Sequence, residues 1–562
     1  FVNLKSIVSE LCCSKVSRLN GRFSTVFGVR PPAHGLCLGK SLLSIRITFL
    51  PESRRILAAI HPEGPAPIIA ISVSIRSLFI YSATCSNLMH KKIYHFKIIH
   101  TLVFYKVFFT FFQVPFWHTY CNIFVVNEEN IMKINNLFMW VLSLMLIIAH
   151  SEPVYADDVI SNANTAWILT STALVLFMTL PGLAFFYGGL VRSKNVLSVL
   201  MQCFSLACLV SILWVAFLYS LAFGDGGSMN YFIGGLDNTF LSGLSINSMS
   251  GNIPESVFIM FQLTFAIITP ALIVGGFAER MKFSSMFLFS LIWMILVYAP
   301  ICHMVWGGGF LGEMGLMDFA GGTVVHINAG VAALVLAIYL GNRNGFQTVP
   351  MPPHNLSMTV AGASMLWVGW FGFNAGSALA ADQSAGMAML VTHIGAASGS
   401  LSWMFREWTK VGKPSVLGIV TGMVAGLGTI TPASGFVGPM GALVIGTLAG
   451  LICYEATQYI KNKINIDDSL DVFPVHGVGG ILGTLLTSIF ASTQFGGLGL
   501  DNSISSQFMV QLFGVVFTII WCGILTIVAI KITEIFTGNI RITSEDEETG
   551  VDITAHGESG YN

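Results

Sequence analysis

Two histidines stand inside apolar, glycine-rich stretches of this chain. His326 lies in the run 323–330, and His476 lies in the run 473–480. An ionisable side chain is costly inside a membrane-spanning segment and is by default a candidate for a functional site. Neutral imidazole has one donor and one acceptor nitrogen, so two adjoining rings could share a proton and offer polar points in an apolar tube. The alternative is a pair of buried histidines with a structural role only.

The composition indicates that both stretches lie in a lipid bilayer. The 562 residues are 54% hydrophobic and 10% charged, whereas soluble proteins carry about 25% charged residues. We therefore predict an all-α integral membrane protein.

The first 131 residues differ in kind from the rest. They carry 14 of the 27 Lys and Arg but 5 of the 28 Asp and Glu. From Met132, a mildly basic start, an apolar run and small residues just before Asp157 form the pattern of a secretory signal peptide. We therefore expect 132–156 to be the signal peptide and 1–131 to be upstream conceptual translation. A genuine additional N-terminal region is the alternative.

After Asp157 the chain contains eleven hydrophobic stretches, each near the roughly 20 residues that a hydrocarbon core requires. We predict that all eleven cross the bilayer. Their approximate limits are 163–187, 196–223, 254–278, 283–305, 322–341, 356–377, 384–406, 414–431, 436–459, 472–492 and 507–536.

The connections between these spans indicate their orientation. Lys and Arg fall only in alternate connections and beside the last span, whereas the intervening loops hold acidic residues and no Lys or Arg. Basic residues favour the cytoplasmic side. We therefore predict a multi-pass protein of the cell membrane whose mature N-terminus is outside and whose C-terminal tail is cytoplasmic.

The two histidines fall in spans five and ten, so the chain divides into two five-span halves and an eleventh helix. Because five is odd, the second half must cross the membrane in the opposite sense to the first. Such an inverted repeat builds a substrate path where the halves meet, near the midplane. Small residues let helices approach closely, and the many glycines would allow a narrow pore through each subunit.

Several motifs in 157–562 together resemble the ammonium transporter/methylammonium permease/Rhesus family, and within it the bacterial ammonium channels. They are Phe185-Phe186-Tyr187-Gly188-Gly189, Gly276-Phe277-Ala278-Glu279-Arg280, His303-Met304-Val305-Trp306-Gly307-Gly308-Gly309, Asp318-Phe319-Ala320-Gly321-Gly322-Thr323-Val324-Val325-His326, Gly369-Trp370-Phe371-Gly372-Phe373-Asn374-Ala375-Gly376-Ser377 and Val475-His476-Gly477-Val478. The resemblance implies an ammonium channel domain over 157–541, a homotrimer with one pore in each subunit, and a place in the bacterial inner membrane. It does not extend to 1–131.

The resemblance also implies an outer cation site at Trp306, Ser377 and Phe265, above a gate formed by Phe265 and Phe373. Phe261 is one helical turn from Phe265 and shares its face. An aromatic face attracts a desolvated cation by about 2 kcal/mol, and a hydroxyl can accept a hydrogen bond from it. Taken singly, these residues are typical of an interfacial tryptophan and of packing phenylalanines, but the full motif set favours the site.

Below the gate, the resemblance places His326 and His476 along the pore. Asp318 matches an aspartate beside the cation site. We expect Asp318 to accept backbone N–H bonds and so to shape the site, with a direct role as proton acceptor as the alternative.

Four other polar residues are assigned structural roles. We expect His303 to lie on the outer rim and Asp471 to stabilise the N-terminus of span ten, where a carboxylate offsets the helix dipole. Glu279 and Arg280 are expected to form a structural pair on the cytoplasmic side.

The C-terminal tail, 542–562, is polar and acidic, which is typical of a solvated segment. In the family this tail packs under the pores and helps to dock a trimeric PII-type nitrogen-regulatory protein. The elements Val551-Asp552 and His556-Gly557-Glu558 match it, whereas Gly560 stands where alanine is common. A tail that is merely solvated is the alternative.

The sequence therefore predicts uptake of ammonium, with the ion selected outside and ammonia conducted past the histidines. Whether net charge crosses stays open. The sequence contains no motif for an enzyme, a cofactor, a metal ion or nucleic acid. Two alternatives are a sensor that uses the same outer site and signals through its tail, which a further domain after Tyr561 would favour, and an ion-coupled transporter of another small solute, which would place carboxylates at the midplane.

Overall fold

A computed structural model describes residues 160–561 and two short strands of the preceding region. These strands, β1 (Arg46–Thr48) and β2 (Ala70–Ser72), pair in antiparallel fashion. The expected signal peptide, 132–156, and the rest of 1–131 lie outside the described residues.

Eleven long helices make up the body of 160–561. They are α1 (Asn162–Leu190), α2 (Ser193–Phe223), α3 (Glu255–Phe277), α4 (Phe283–Glu313), α5 (Gly322–Leu340), α6 (Leu356–Gly376), α7 (Gln383–Val411), α8 (Val416–Ala433), α9 (Pro439–Ile464), α10 (Phe473–Phe490) and α11 (Ile504–Thr537). Among the described residues, ten of them are long and apolar enough to cross a membrane. The eleventh, α7, has 29 residues but is less apolar.

The predicted all-α membrane fold is confirmed, and each predicted span lies on one helix. The largest differences are at α4, α7 and α9, which continue to Glu313, Val411 and Ile464 beyond their predicted ends. All three extensions carry charged side chains, among them Glu313, Lys410 and Lys461. A hydropathy pattern detects only the part of a helix that lies in the hydrocarbon layer, so it misses such ends. A short hairpin of β3 (Met249–Ser250) and β4 (Ile253–Pro254) precedes α3.

The two halves of the inverted repeat, α1–α5 and α6–α10, share a local irregularity. Both α5 and α10 begin with a π-helical segment, Gly322–Ile327 and Phe473–Val478, and each segment contains one of the two histidines. Single π-helical turns are rare in proteins, and those that occur are often found at functional sites. Each segment begins the fifth helix of its half, so His326 and His476 occupy equivalent positions in the two halves.

Glycines permit the contact between α5 and α10. A Cβ atom at Gly330 would lie 2.4 Å from Cα of Gly477, and one at Gly480 would lie 3.0 Å from Cβ of His326. Any side chain at Gly330 would therefore force the two helices apart. This close approach sets the separation of the two histidine rings.

The tail returns to one end of the helix bundle. After α11, Arg541 forms an isolated β-bridge with Met281, and the chain continues into α12 (Ser544–Thr549) and a π-helical turn (Asp552–His556). We call this end of the bundle the tail face. α4 starts beside it at Phe283, so Trp306 lies towards the opposite face.

Candidate functional site

The predicted cation-site residues lie around one mouth of the bundle, opposite the tail face. Trp306 ends the α-helical part of α4, and its Nε1 donates to the carbonyl oxygen of Asp318 at 2.9 Å. Its ring meets that of Phe265 edge-on, with centroids 5.7 Å apart. Ser377 follows α6 and donates its hydroxyl to the carbonyl oxygen of Phe373 at 2.9 Å. The hydroxyl oxygen of Ser377 can still accept a bond.

Beneath Trp306, two phenylalanines close the path. The rings of Phe265 and Phe373 are stacked, with centroids 4.3 Å apart and planes inclined by 27°, and both are buried. Phe261 packs edge-on against Phe265 at 5.1 Å. An aromatic pair this close leaves no room for a hydrated ion between the two rings.

The structure brings His326 and His476 together, although 150 residues separate them in the sequence. Their Nδ1 atoms are 3.2 Å apart and their ring planes differ by 16°. Both rings are buried. Since a hydrogen bond needs one donor, one Nδ1 carries the proton and the other accepts it. Nε2 of His326 is buried and has no hydrogen-bond partner among the described residues.

Trp370, for which no role was predicted, packs on the histidine pair. Its ring is stacked on His326 with centroids 5.6 Å apart, and its Nε1 donates to Oγ1 of Thr431 at 2.8 Å. The side chain is buried. The only available signal was its place between Gly369 and Phe373 in one of the motifs, which does not reveal what its ring contacts.

Between the gate and the histidines lies a narrow cavity with apolar walls. Its lining includes Phe373, Trp370, His326, His476 and Val424. The cavity volume is about 10 Å³, near the minimum that one water molecule needs. A path of this size suits one small neutral molecule at a time.

Asp318 lies behind the outer mouth and holds the start of α5. Its carboxylate accepts hydrogen bonds from the backbone N–H groups of Gly321, Gly322, Thr323 and Val324, and from the hydroxyl of Thr323. The side chain is buried. A carboxylate with so many donors is well satisfied. Its carbonyl oxygen in turn accepts from Trp306, so Asp318 links the mouth to the helix that carries His326.

A cluster of buried charges occupies the tail face. Arg343 pairs with Asp467 at 2.9 Å and with Glu279 at 3.2 Å, while Arg192 also pairs with Glu279 at 2.6 Å. Arg280 pairs with Asp467 at 3.4 Å. Glu279 and Arg280 are therefore structural, as expected, but their partners are distant residues and not each other. Nothing in the residue types around Glu279 and Arg280 indicates these partners.

The cluster shifts the ionisation of its carboxyl groups. Burial raises the pKa of Glu279. The guanidinium groups of Arg343 and Arg192 lower it by a larger amount, so the pKa of Glu279 is below its ordinary value. Burial likewise raises the pKa of Asp467, and the hydrogen bonds from Arg343 lower it by a larger amount, so this pKa is also below its ordinary value. Both groups are therefore ionised at neutral pH, and their charges are compensated by arginine.

The tail adds to this cluster. Glu547 is buried, pairs with Arg541 at 3.0 Å and accepts from the backbone N–H of Asn344 at 2.7 Å. The carboxylate of Asp552 accepts from the backbone N–H groups of Leu197 and Ser198, at 3.0 and 2.7 Å. The tail of this chain is thus packed on the connection between α5 and α6 and on the start of α2.

Two structural assignments need correction. His303 is not a rim residue but is fully buried, with Nδ1 3.1 Å from the carbonyl oxygen of Ala222 and Nε2 2.8 Å from that of Asn230. At the start of α10, Asp468 and not Asp471 accepts from the backbone N–H of Phe473, at 2.7 Å.

Asp471 instead forms an ion pair with Lys461 at 2.8 Å. Its backbone has a φ of 61°, in the left-handed region.

Comparison with known proteins gives one consistent result. Residues 166–561 match the Ammonium Transporter Family. An ammonium transporter of Aquifex aeolicus is 46% identical over 429 residues, which cover 75% of this chain and 98% of the relative. One of Bacillus subtilis is 46% identical over 394 residues, covering 69% and 96%.

Solved structures agree with these relatives. The crystal structure of Saccharomyces cerevisiae Mep2 is 32% identical with a TM-score of 0.62, and the match covers 72% of this chain and 94% of that one. A structure described as a sensor Amt protein is 29% identical with a TM-score of 0.65, covering 70% and 98%.

Proposed function

This chain belongs to the ammonium transporter family, and from that premise we propose that it recruits ammonium at its outer mouth, removes one proton and conducts ammonia past two pore histidines. The relatives at 46% identity are named as transporters, which favours transport over the sensor alternative.

One observation carries the proposal: a continuous series of rings from the mouth to the histidines. Successive centroid distances are 5.7 Å from Trp306 to Phe265, 4.3 Å to Phe373, 6.1 Å to His326 and 5.3 Å to His476. The series joins a cation-attracting aromatic face to a pair of polar rings. Among the residues that the structure describes, no carboxylate side chain lines the cavity between gate and histidines, which argues against an ion-coupled transporter.

At the outer mouth, ammonium exchanges part of its water shell for protein contacts. The faces of Trp306 and Phe265 attract the cation, by about 2 kcal/mol where it is desolvated. The hydroxyl oxygen of Ser377 accepts one N–H bond. Asp318 positions this site through its bonds to the first turn of α5 and through the indole of Trp306.

Below the gate, the apolar cavity favours the neutral species. Moving an ion from water into such an interior costs several kcal/mol even after relaxation, whereas ammonia avoids most of that penalty. Ammonium therefore loses a proton before or at the stacked pair Phe265 and Phe373. This proton crosses separately through the hydrogen bond between His326 and His476, so that net charge moves with each ammonia. Ammonia then meets His326 and His476, whose free nitrogens supply donor and acceptor contacts.

Three further features are proposed from the family resemblance. The tail face is cytoplasmic, which agrees with the positions of Lys and Arg. The active form is a homotrimer in the bacterial inner membrane. The tail docks a PII-type regulatory protein, and the packing of Glu547 and Asp552 on the helix connections supports a link between tail and pore. We also propose 132–156 as a cleaved signal peptide.

The decisive experiment is a current measurement on purified protein in a solid-supported membrane. Steps of ammonium should give saturable currents, and equal steps of sodium or potassium should give none above protein-free membranes. Equal responses to ammonium and potassium would contradict the proposal.

A further inference from the structure

A second cavity opens on the tail face and reaches the lower histidine. Its volume is about 280 Å³. The walls include Trp403 and Glu407 of α7, Tyr454 and Thr457 of α9, and His476. We call this cavity the inner vestibule. Because His476 also lines the narrow cavity above, whatever leaves the pore enters this vestibule.

The vestibule has an aromatic corner. The rings of Trp403 and Tyr454 meet edge-on, with centroids 5.5 Å apart and an angle of 89°. Each residue is only 5% exposed. Aromatic faces attract small cations, more strongly where water is partly excluded.

The charge balance of the vestibule is negative. Asp471 and Lys461 both line it, but they pair with each other at 2.8 Å and so largely cancel. Glu407 forms no ion pair with any residue that the structure describes. Its carboxylate accepts from the backbone N–H of Ser415 at 2.9 Å and from the hydroxyl of Ser415 at 2.8 Å. A carboxylate offers about four acceptor positions, so Glu407 can accept further bonds.

A buried hydroxyl completes the set. Oγ1 of Thr457 is enclosed and has no hydrogen-bond partner in the described part of the chain, and the residue is 7% exposed. Thr457 lines the vestibule, about one helical turn after Tyr454 and one turn before Lys461. An unpartnered buried polar group is costly, and a ligand that donates N–H bonds would remove that cost.

We propose that Glu407, Trp403, Tyr454 and Thr457 form an inner binding site for ammonium at the cytoplasmic mouth. The inference rests on the proposed function and adds a second cation site to it. Ammonia leaving His476 combines with the proton that has crossed through the histidine pair, and the ammonium so formed is held by the carboxylate, the two rings and the hydroxyl until it diffuses away.

The inverted repeat supports this position. Trp306 lies in α4 towards the outer face, and Tyr454 lies in α9, the equivalent helix of the second half, towards the tail face. The two aromatic side chains thus mark opposite mouths of one path. The inner site differs in having a carboxylate side chain on its wall, which suits a mouth where the product is a cation.

The test compares ammonium currents from the two faces. Right-side-out membrane vesicles present the outer mouth to the added ammonium, and everted vesicles present the vestibule. For Glu407→Gln, we expect the half-saturating ammonium concentration to rise about tenfold in everted vesicles, because a charged hydrogen-bond acceptor is lost. In right-side-out vesicles it should not change.

Two further variants sharpen the comparison. Thr457→Val keeps the side-chain shape and should raise the half-saturating concentration in everted vesicles about threefold. Glu455→Gln is the matched control: Glu455 is next to Tyr454, but its carboxylate is 51% exposed and pairs with Arg406. It should leave both preparations unchanged.

Each outcome decides one question. If both preparations give ammonium currents but the half-saturating ammonium concentration is unchanged for Glu407→Gln and Thr457→Val, the inner site alone is overturned. Competition by potassium as strong as by ammonium itself, in everted vesicles, would overturn its specificity for an N–H donor. Absence of ammonium current in either preparation would overturn the proposed transport and the inner site together.

Discussion

The Nδ1 atoms of His326 and His476 lie 3.2 Å apart, between rings whose planes differ by 16°. This geometry requires that one ring donates to the other, so the protonation of each ring depends on its partner. It also means that the two halves of the chain contribute one residue each to a single polar unit.

Replacing both histidines should destroy selectivity. In a His326→Ala, His476→Ala protein that still assembles, a wider and wetter gap would let hydrated ions pass, and the ratio of ammonium to potassium current should fall towards one. His326→Asp or His476→Glu should retain more ammonium transport than the corresponding alanine variants, because a proton-exchanging side chain remains. Growth on ammonium and currents on both ions measure the effect.

His393→Ala is the control for that experiment, since His393 is exposed on α7 and packs against Trp367. It should behave as wild type. Unaltered selectivity in the double variant would reduce the pore pair to structural histidines.

Trp306→Leu should weaken ammonium recruitment at the outer mouth. Loss of a cation–π contact of one to two kcal/mol corresponds to a rise of about tenfold in the half-saturating concentration. Dose–response currents would report it. Trp408→Leu, which changes an indole that is 49% exposed on α7, serves as the control. If both variants matched wild type, the outer aromatic site would be refuted.

Asp318→Asn should impair transport and stability together. An amide presents one acceptor oxygen where the carboxylate now uses two to satisfy the first turn of α5, and its NH₂ group would face N–H donors. We expect a loss of about 2 kcal/mol or more and a strong fall in current. Asp382→Asn removes a charge from a helix N-cap near the same mouth and should keep its current. Wild-type melting and current for Asp318→Asn would contradict the positioning role.

Deleting 545–562 should abolish capture of a PII-type protein in a pull-down while the trimer survives gel filtration. The deletion removes Glu547 and Asp552, whose carboxylates fix the tail to Arg541 and to the start of α2. Removing only 559–562 leaves both in place and should retain binding. If the variant that lacks 545–562 still captured the PII-type protein, the regulatory protein would dock elsewhere.

The neighbouring residues Asp467 and Asp468 should respond oppositely to substitution. Burial and the nearby Asp471 raise the pKa of Asp468 to about 7, whereas the pKa of Asp467 is lowered overall, with burial opposed by Arg343. A raised carboxyl pKa reduces stability as pH rises from the unfolded value through the folded one, and a lowered pKa does the reverse.

Asp468→Asn should therefore raise the melting temperature at pH 8 more than at pH 4, since each pKa unit is worth about 1.4 kcal/mol. Asp467→Asn should lower it, and more so at pH 8. Melting curves in detergent across this range test both. Parallel behaviour of the two variants would rule out the assigned environments.

Hydropathy and loop charge were enough to predict the spans, because the bilayer fixes the length and polarity of a crossing helix. They could not predict contacts that depend on how the halves pack. Trp370 stacks on His326 only because α6 lies against α5, and nothing local to Trp370 indicates this. At the start of α10, either Asp468 or Asp471 could have accepted a hydrogen bond from the first backbone N–H groups of the helix. The left-handed turn at Asp471 directs that role to Asp468, and a backbone dihedral angle is not visible in residue types.

The carboxylate of Asp552 has a consequence for the order in which this protein matures. The amide groups that it bonds, at the start of α2, belong to residues 354 and 355 positions earlier in the chain. During synthesis those groups are made, and α2 is inserted, long before Asp552 leaves the ribosome. The second span must therefore wait, with water at its tail-face end, until Asp552 has been added. A chain that stops short of Asp552 would leave those two amide groups without this partner, so the tail face cannot be completed before Asp552 is made.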